Sequence, residues 1–202
     1  MRRRHLSLGL VPLLVMLACE SKPLQPVAYG PWEEGLTLAY EDPSLPAAEQ
    51  RNHRLQVRVA KARMAPGEPG LVQLDFASGN GQFALQVRHR KGGVALVADD
   101  GRTLAQPLPE GFPNIGPWED RGTSYRVLGR GTWEGASLLP PGASAVGVWV
   151  EATPSSGPRR RTLYLPNLGE VESREERQGA WITVNRLVAR GFTDLPAIKP
   201  AH

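Results

Sequence analysis

The sequence predicts a mostly β protein, an antiparallel meander of about 9–11 strands curled into a half-barrel or open barrel with little helix. Three observations predict it. Apolar and polar residues alternate in short runs such as Leu55-Gln56-Val57-Arg58-Val59, the period of a strand with one buried and one wet face. Between the runs lie many of the 22 glycines and 19 prolines of the 202-residue chain, where turns need them. No apolar stripe at helical spacing is sustained, the one short candidate being Pro46 to Arg54. A flat sheet of this size leaves a face unburied, so it must curl or fold over.

The chain opens with Arg2, Arg3 and Arg4, an apolar run from Leu6 to Val15, and Met16-Leu17-Ala18-Cys19, which contains the single cysteine. This is the layout of an export signal over residues 1–18. The apolar run is well short of the roughly 20 residues of a spanning helix. The motif resembles the bacterial lipobox. That resemblance implies that Cys19 becomes the mature N-terminus, carries a diacylglyceryl thioether, and often gains a third, palmitate-like acyl chain. Two acyl chains at about 0.8 kcal/mol per buried methylene give an anchoring that one chain does not. Glu20 stands where aspartate would signal inner-membrane retention in some Gram-negative bacteria, which favours the outer membrane, facing the periplasm.

Three of the 24 basic residues and none of the 20 acidic ones lie in the leader, so the mature chain carries a formal charge near +1. No broad cationic field remains to argue for nucleic acid. With Cys19 as the sole cysteine the folded part can form no internal disulfide, although an envelope compartment permits them. Stability must then come from the core and the backbone ladder.

Residues 19–50 read as a lipid-anchored tether and lead-in, rich in proline (Pro23, Pro26, Pro31, Pro43, Pro46) and therefore extended and semi-rigid. Tyr29, Trp32, Leu36, Leu38 and Tyr40 are too apolar to be left in water and are expected to pack on the domain as a first strand or strapped loop. The β-domain is placed at 51–194. Its first four strands are Leu55–Val59, Val72–Phe76, Phe83–Arg88 and Val94–Val97, separated by the Pro66–Gly70, Ser78–Gly81 and Lys91–Gly93 turns. Asp99-Asp100-Gly101 reads as a turn in preference to a cation site or general base.

Pro107 to Trp118 is a long irregular loop with four prolines around Phe112, Ile115 and Trp118. Loops of this length are commonly lids or binding loops. Phe112, Ile115 and Trp118 are therefore the candidate ligand-contacting residues, with packing onto the domain's own face as the plainer role. Strands resume at Thr123–Leu128 and near Thr132-Trp133. Further strands follow at Ala145–Glu151, Arg161–Leu165, Glu170–Glu176 and Trp181–Leu187, the last two joined by a turn at Gln178-Gly179. The hairpin tip carries Arg159, Arg160 and Arg161, which suits either solvent or lipid phosphates. Residues 195–202 form a tail.

The run Leu163-Tyr164-Leu165-Pro166-Asn167-Leu168-Gly169-Glu170-Val171-Glu172, with Val184 to Val188 after it, resembles the closing strands of bacterial envelope lipoproteins. More distantly it resembles the open half-barrels of the lipoprotein-localisation superfamily, LolA and LolB. The resemblance implies a half-barrel whose concave apolar face takes an acyl chain.

Searching for chemistry yields little. The mature chain holds His53, His89 and His202, no His-x-x-x-His or cysteine cluster for zinc, no Gly-x-Ser-x-Gly elbow and no phosphate-binding Gly-x-x-x-x-Gly-Lys loop. No catalytic residue, metal or cofactor is therefore assigned. The sequence points to a non-catalytic, membrane-anchored envelope lipoprotein that binds a hydrophobic ligand, an acyl chain, or an envelope partner protein. A structural β-module and a hydrolase with an unrecognised site are the alternatives.

Overall fold

The computed structural model describes residues 29–50, 53–63, 70–79 and 81–192; Cys19, the signal and the tail lie outside them. The strands are β1 (Thr37–Glu41), β2 (Leu55–Arg63), β3 (Gly70–Ser78), β4 (Gly81–Arg90), β5 (Gly93–Val97), β6 (Thr103–Leu108), β7 (Trp118–Asp120), β8 (Thr123–Thr132), β9 (Val146–Pro154), β10 (Arg160–Leu165), β11 (Gly169–Arg177) and β12 (Ala180–Gly191). Among the described residues helix is confined to one turn, α1 (Ala47–Gln50), and a 3-10 turn at Ala136–Leu138. All twelve strands form one sheet in the order β6-β5-β4-β3-β2-β1-β12-β11-β10-β9-β8-β7. Two meanders, β2 to β6 and β7 to β12, are thus joined by β1, which pairs antiparallel with both β2 and β12.

The sheet curls into a nearly closed barrel. Register shifts interrupt the β1–β12, β10–β11, β11–β12, β2–β3, β5–β6 and β8–β9 ladders, and each such irregularity bends a strand and adds twist. The free edges, β6 and β7, meet at a seam where the Gln106 backbone N–H donates to the Asp120 carboxylate at 3.1 Å.

The strand count exceeds the expected 9–11 because β1, β6 and β7 join the ladder. β6 was hidden by Pro107, which removes a backbone donor but is tolerated on an edge strand. The two pieces expected around Gly129 and Gly131 are one strand, β8. Glycine at 131 makes room for a neighbour, since a Cβ there would lie 2.2 Å from the Trp149 indole nitrogen.

Cross-strand neighbours put Leu38, Val57, Phe76 and Phe83 in one interior row, with Val59, Leu74 and Leu85 in the next and Val72, Val87 and Leu96 in a third. The alternation predicts Val57, Val59, Leu74, Phe76, Leu85, Val87 and Leu96 as the inward set; Val57, Val59, Leu74 and Val87 are buried, and Phe76, Leu85 and Leu96 are half-buried. The first row runs out to the rim, where Phe76 is half-buried and stacks at 4.8 Å on Phe83, itself 55% exposed. The other half of the interior is filled by Tyr29, Leu108, Phe112, Val148 and Val150.

The other face of β8 to β12 carries a band of ion pairs. Glu151, 2% exposed, sits between Arg126 and Arg161 on the adjoining strands and accepts an Nε hydrogen bond from each at 2.9 Å. Glu172 is held by Arg174 and Arg186. The arginines of the β9–β10 tip are likewise engaged: Arg159 bonds Glu176 and Arg160 bonds Glu175. The Arg161 guanidinium also lies 4.0 Å over the Trp181 ring and that of Arg174 5.0 Å over Trp149.

Leu38→Ala is expected to cost about 2–5 kcal/mol because Leu38 is fully enclosed. Phe83→Ala should cost about 1 kcal/mol, the worth of an aromatic pair at the rim. Chemical denaturation midpoints at constant slope measure both, and equal shifts would contradict the face assignment. Burial by itself would raise the Glu151 carboxyl, but the Arg161 and Arg126 hydrogen bonds and charges outweigh it and hold its pKa below the ordinary range. A depressed folded pKa gives stability that is present above the ordinary carboxylate pKa and lost as pH falls through the folded one. Glu151→Gln should therefore cost about 1–3 kcal/mol at neutral pH. Its deficit should shrink in acid as the wild type loses the same charge, and a deficit independent of pH would contradict the pairing.

Candidate functional site

Ahead of β1, residues Tyr29 to Trp32 form a strap across the barrel interior, fixed at three points. The Trp32 indole donates to the Asn167 side-chain oxygen at 3.1 Å, in the β10–β11 turn. The Tyr29 ring meets Phe112 edge-on at 4.7 Å. Gly30 presses on His89 of β4, so closely that a Cβ there would lie 2.3 Å from the imidazole Cε1. Only glycine permits that approach.

Between the strap and the sheet is a hollow of about 210 Å³. Leu38, Val57, Leu74, Val87 and Leu96 line its floor; Tyr29, Gly30 and Pro31 border it, as do Tyr164, Glu170 and Asn185. The lining is predominantly aliphatic, which suits an apolar ligand. A larger depression of about 410 Å³ lies near the rim at Phe76 and Phe83, but Gln56, Arg58, Asp75 and Gln82 share its lining. Its mixed lining gives less desolvation gain to an apolar guest, and the smaller hollow is the more apolar of the two.

Two polar features break the apolar lining. The first is a hydrogen-bonded cluster: one Glu170 carboxylate oxygen accepts from the Ser173 hydroxyl at 2.8 Å and the Asn185 amide at 2.7 Å. Ser173 and Thr162 share a further bond at 2.8 Å, and the Tyr40 hydroxyl donates to the Glu170 carbonyl at 2.9 Å. Burial, with the Glu170 charge adding to it, holds the Tyr40 and Tyr164 phenols above their ordinary pKa, so both remain protonated donors. The second feature is His89, 4% exposed, whose Nδ1 and Nε2 have no partner among the described residues. Its ring packs 3.8 Å from that of Trp32. Burial pushes its pKa down to about 3, so the ring is neutral at physiological pH.

The candidate ligand residues Phe112, Ile115 and Trp118 come together, but in the aromatic-filled half. Phe112 is 1% exposed and meets Trp118 and Tyr164 at 6.4 and 6.2 Å; Trp118 stacks on Tyr125 at 5.2 Å. Ile115 packs against the same cluster. None of the three lines the hollow, which they border through Tyr29 and Tyr164. Cys19 lies outside the described residues. Asp99-Asp100-Gly101 is a turn closed by the Gly101 N–H to the Ala98 carbonyl and by the Arg102 N–H to the Asp100 carboxylate. Among the described residues no group of three or more His, Cys, Asp or Glu side chains is gathered for a metal ion.

Sequence reasoning missed His89, Trp32, Glu170 and Asn185 as a site. The alternation Val87-Arg88-His89 does carry the signal that His89 faces inward.

No family model matches the chain, and no curated protein does. Two solved structures resemble it in shape. One, from Bacteroides fragilis NCTC 9343, is provisionally described as an exported protein with a YmcC-like fold; identity is 15%, TM-score 0.46, and the match covers 82% of this chain and 99% of that one. The other, from Parabacteroides distasonis ATCC 8503, is provisionally described as a lipoprotein, with 10% identity, a TM-score of 0.47 and the same two coverages. Neither likeness carries a role to this chain.

Proposed function

We propose that this protein is a non-catalytic lipoprotein of the bacterial cell envelope, anchored by a lipid on Cys19 in the outer membrane and facing the periplasm. Its barrel binds an acyl chain in the hollow beneath the strap. The observation that carries this reading is the hollow itself, an aliphatic space of about 210 Å³ bordered by the strap at Tyr29 to Pro31. An apolar space left to water is unfavourable, and a filled core would have cost the fold nothing. Cys19 stands ten positions before Tyr29 in the sequence, so a lipid on Cys19 would hold the strap within reach of the membrane, where acyl chains are found. Apart from His89, the polar groups along its wall are engaged with one another around Glu170.

Protein isolated from its own membranes should yield an acyl compound on solvent extraction in addition to the lipid covalently held at Cys19, and mass spectrometry distinguishes the two. Medium-chain acyl ligands should shift the fluorescence of Trp32, which packs on His89 of the hollow's lining. Leu74→Trp, which fills the floor, should abolish binding while leaving the strand signature of the circular dichroism spectrum. If no acyl compound co-purifies and none binds, contact with an envelope partner protein becomes the better account.

A further inference from the structure

We propose that the hollow has a cation-selective corner at Glu170 and Asn185, and that the acyl compound it takes carries a primary ammonium at its polar end, as an ester of an amino alcohol does. This deepens the acyl-binding reading above and rests on it.

Glu151 and Glu172, buried on the outer face, each lie between two arginines. Glu170 has no basic side chain against it among the described residues; the Ser173 hydroxyl and the Asn185 amide hold its carboxylate. The arginines of the adjoining strands are engaged elsewhere: Arg160 and Arg161 of β10 bond Glu175 and Glu151, and Arg186 and Arg190 of β12 pair with Glu172 and Glu33. No lysine or arginine lines the hollow, whereas Glu170 does. A carboxylate drawn out of bulk water gains from an opposite charge, and here the fold supplies none.

Both hydrogen bonds to that carboxylate fall on Oε1, so the polar network is complete without Oε2. Glu170 is half-buried, and Oε2 is not one of the enclosed polar atoms that lack a partner. It is therefore open to water, and to a ligand group that replaces water. A carboxylate only accepts hydrogen bonds, so the Asn185 amide must turn its nitrogen to Glu170 and keep its carbonyl oxygen for another donor. That oxygen is not enclosed either, and Asn185 also lines the hollow.

The corner thus offers two spare acceptors, one of them charged. An ammonium brings three donors and the missing positive charge; a carboxylate head would bring a like charge and no donor. Tyr29, Tyr40 and Tyr164 line the same hollow, and aromatic rings also favour a cation. The chain of such a ligand lies on the aliphatic floor of Leu38, Val57 and Leu74.

The test uses the mature full chain and three probes that share an eight-carbon chain: octylamine, which is an ammonium at neutral pH, 1-octanol and octanoate. Titration calorimetry on the wild type should rank octylamine first, about tenfold tighter than 1-octanol, with octanoate weakest. Glu170→Gln keeps an oxygen for Ser173 and Asn185 but removes the charge. It should erase the advantage of octylamine and leave 1-octanol unchanged. In case that variant folds poorly, the wild type gives an independent readout: the ¹³C carboxyl resonance of Glu170 should move further with octylamine than with 1-octanol. Octanoate or 1-octanol binding as tightly as octylamine, an undiminished octylamine advantage in Glu170→Gln, or a carboxyl resonance that ignores octylamine would each overturn the cation-selective corner while leaving the acyl-binding hollow intact. Failure of all three probes to bind the wild type would overturn both.

Discussion

The structure depends on one insertion, that of β1 between β2 and β12. Each meander is built from neighbours in sequence and could form locally, but among the described residues the strand ladder passes from one half to the other through Thr37–Glu41. The pairing of β1 with β12 joins residues about 150 positions apart, so its loop-closure cost must be met by burial. The strand supplies it: Thr37, Leu38, Ala39 and Tyr40 are all buried. Because the strap immediately precedes β1, fixing that strand also fixes Tyr29 to Trp32 across the interior. The barrel's closure and the hollow's roof are consequences of a single placement.

The two halves of the interior solve the same problem differently. Where β7 to β10 curve, Tyr29, Phe112, Trp118, Tyr125 and Tyr164 supply rings bulky enough to fill the space. Where β2 to β5 curve, the inward residues are Val57, Leu74, Val87 and Leu96, whose shorter side chains leave a gap under the strap. Burying aliphatic surface stabilises the walls, and incomplete packing between them forfeits dispersion contacts. Glu170, Ser173, Asn185 and Thr162 form a satisfied polar network beside the gap, whereas His89 is left unsatisfied at its margin.

Much of this architecture was legible in the chain. Strict alternation located β2 and β3, short runs between turn residues located β4, β5 and β8 to β12, and the period of two pointed Val57, Val59, Leu74, Phe76, Leu85, Val87 and Leu96 inward. Edge strands were harder: β6 contains Pro107 and β7 has three residues, so neither carries a periodic signal. The residues around Leu36 to Tyr40 were apolar enough to demand packing, but their place at the centre of the sheet depends on partners far along the chain. The burial of Glu151 was equally hidden, since it follows from arginines on two neighbouring strands. In the site, Phe112 and Trp118 signalled packing by their bulk, but which half they fill depends on the curl. His89 advertised its direction and not its lack of a partner, which is a property of the assembled interior.

The central claim is that an apolar space persists beneath the strap in the folded protein. Crystallography under xenon pressure tests it most directly, because xenon enters apolar cavities without requiring a polar contact. The account predicts xenon density bounded by Leu74, Val87 and Leu96 below and the Tyr29 to Pro31 strap above, absent from the aromatic half around Phe112. An interior that takes up no xenon at that position, with those side chains closed upon one another, would contradict it.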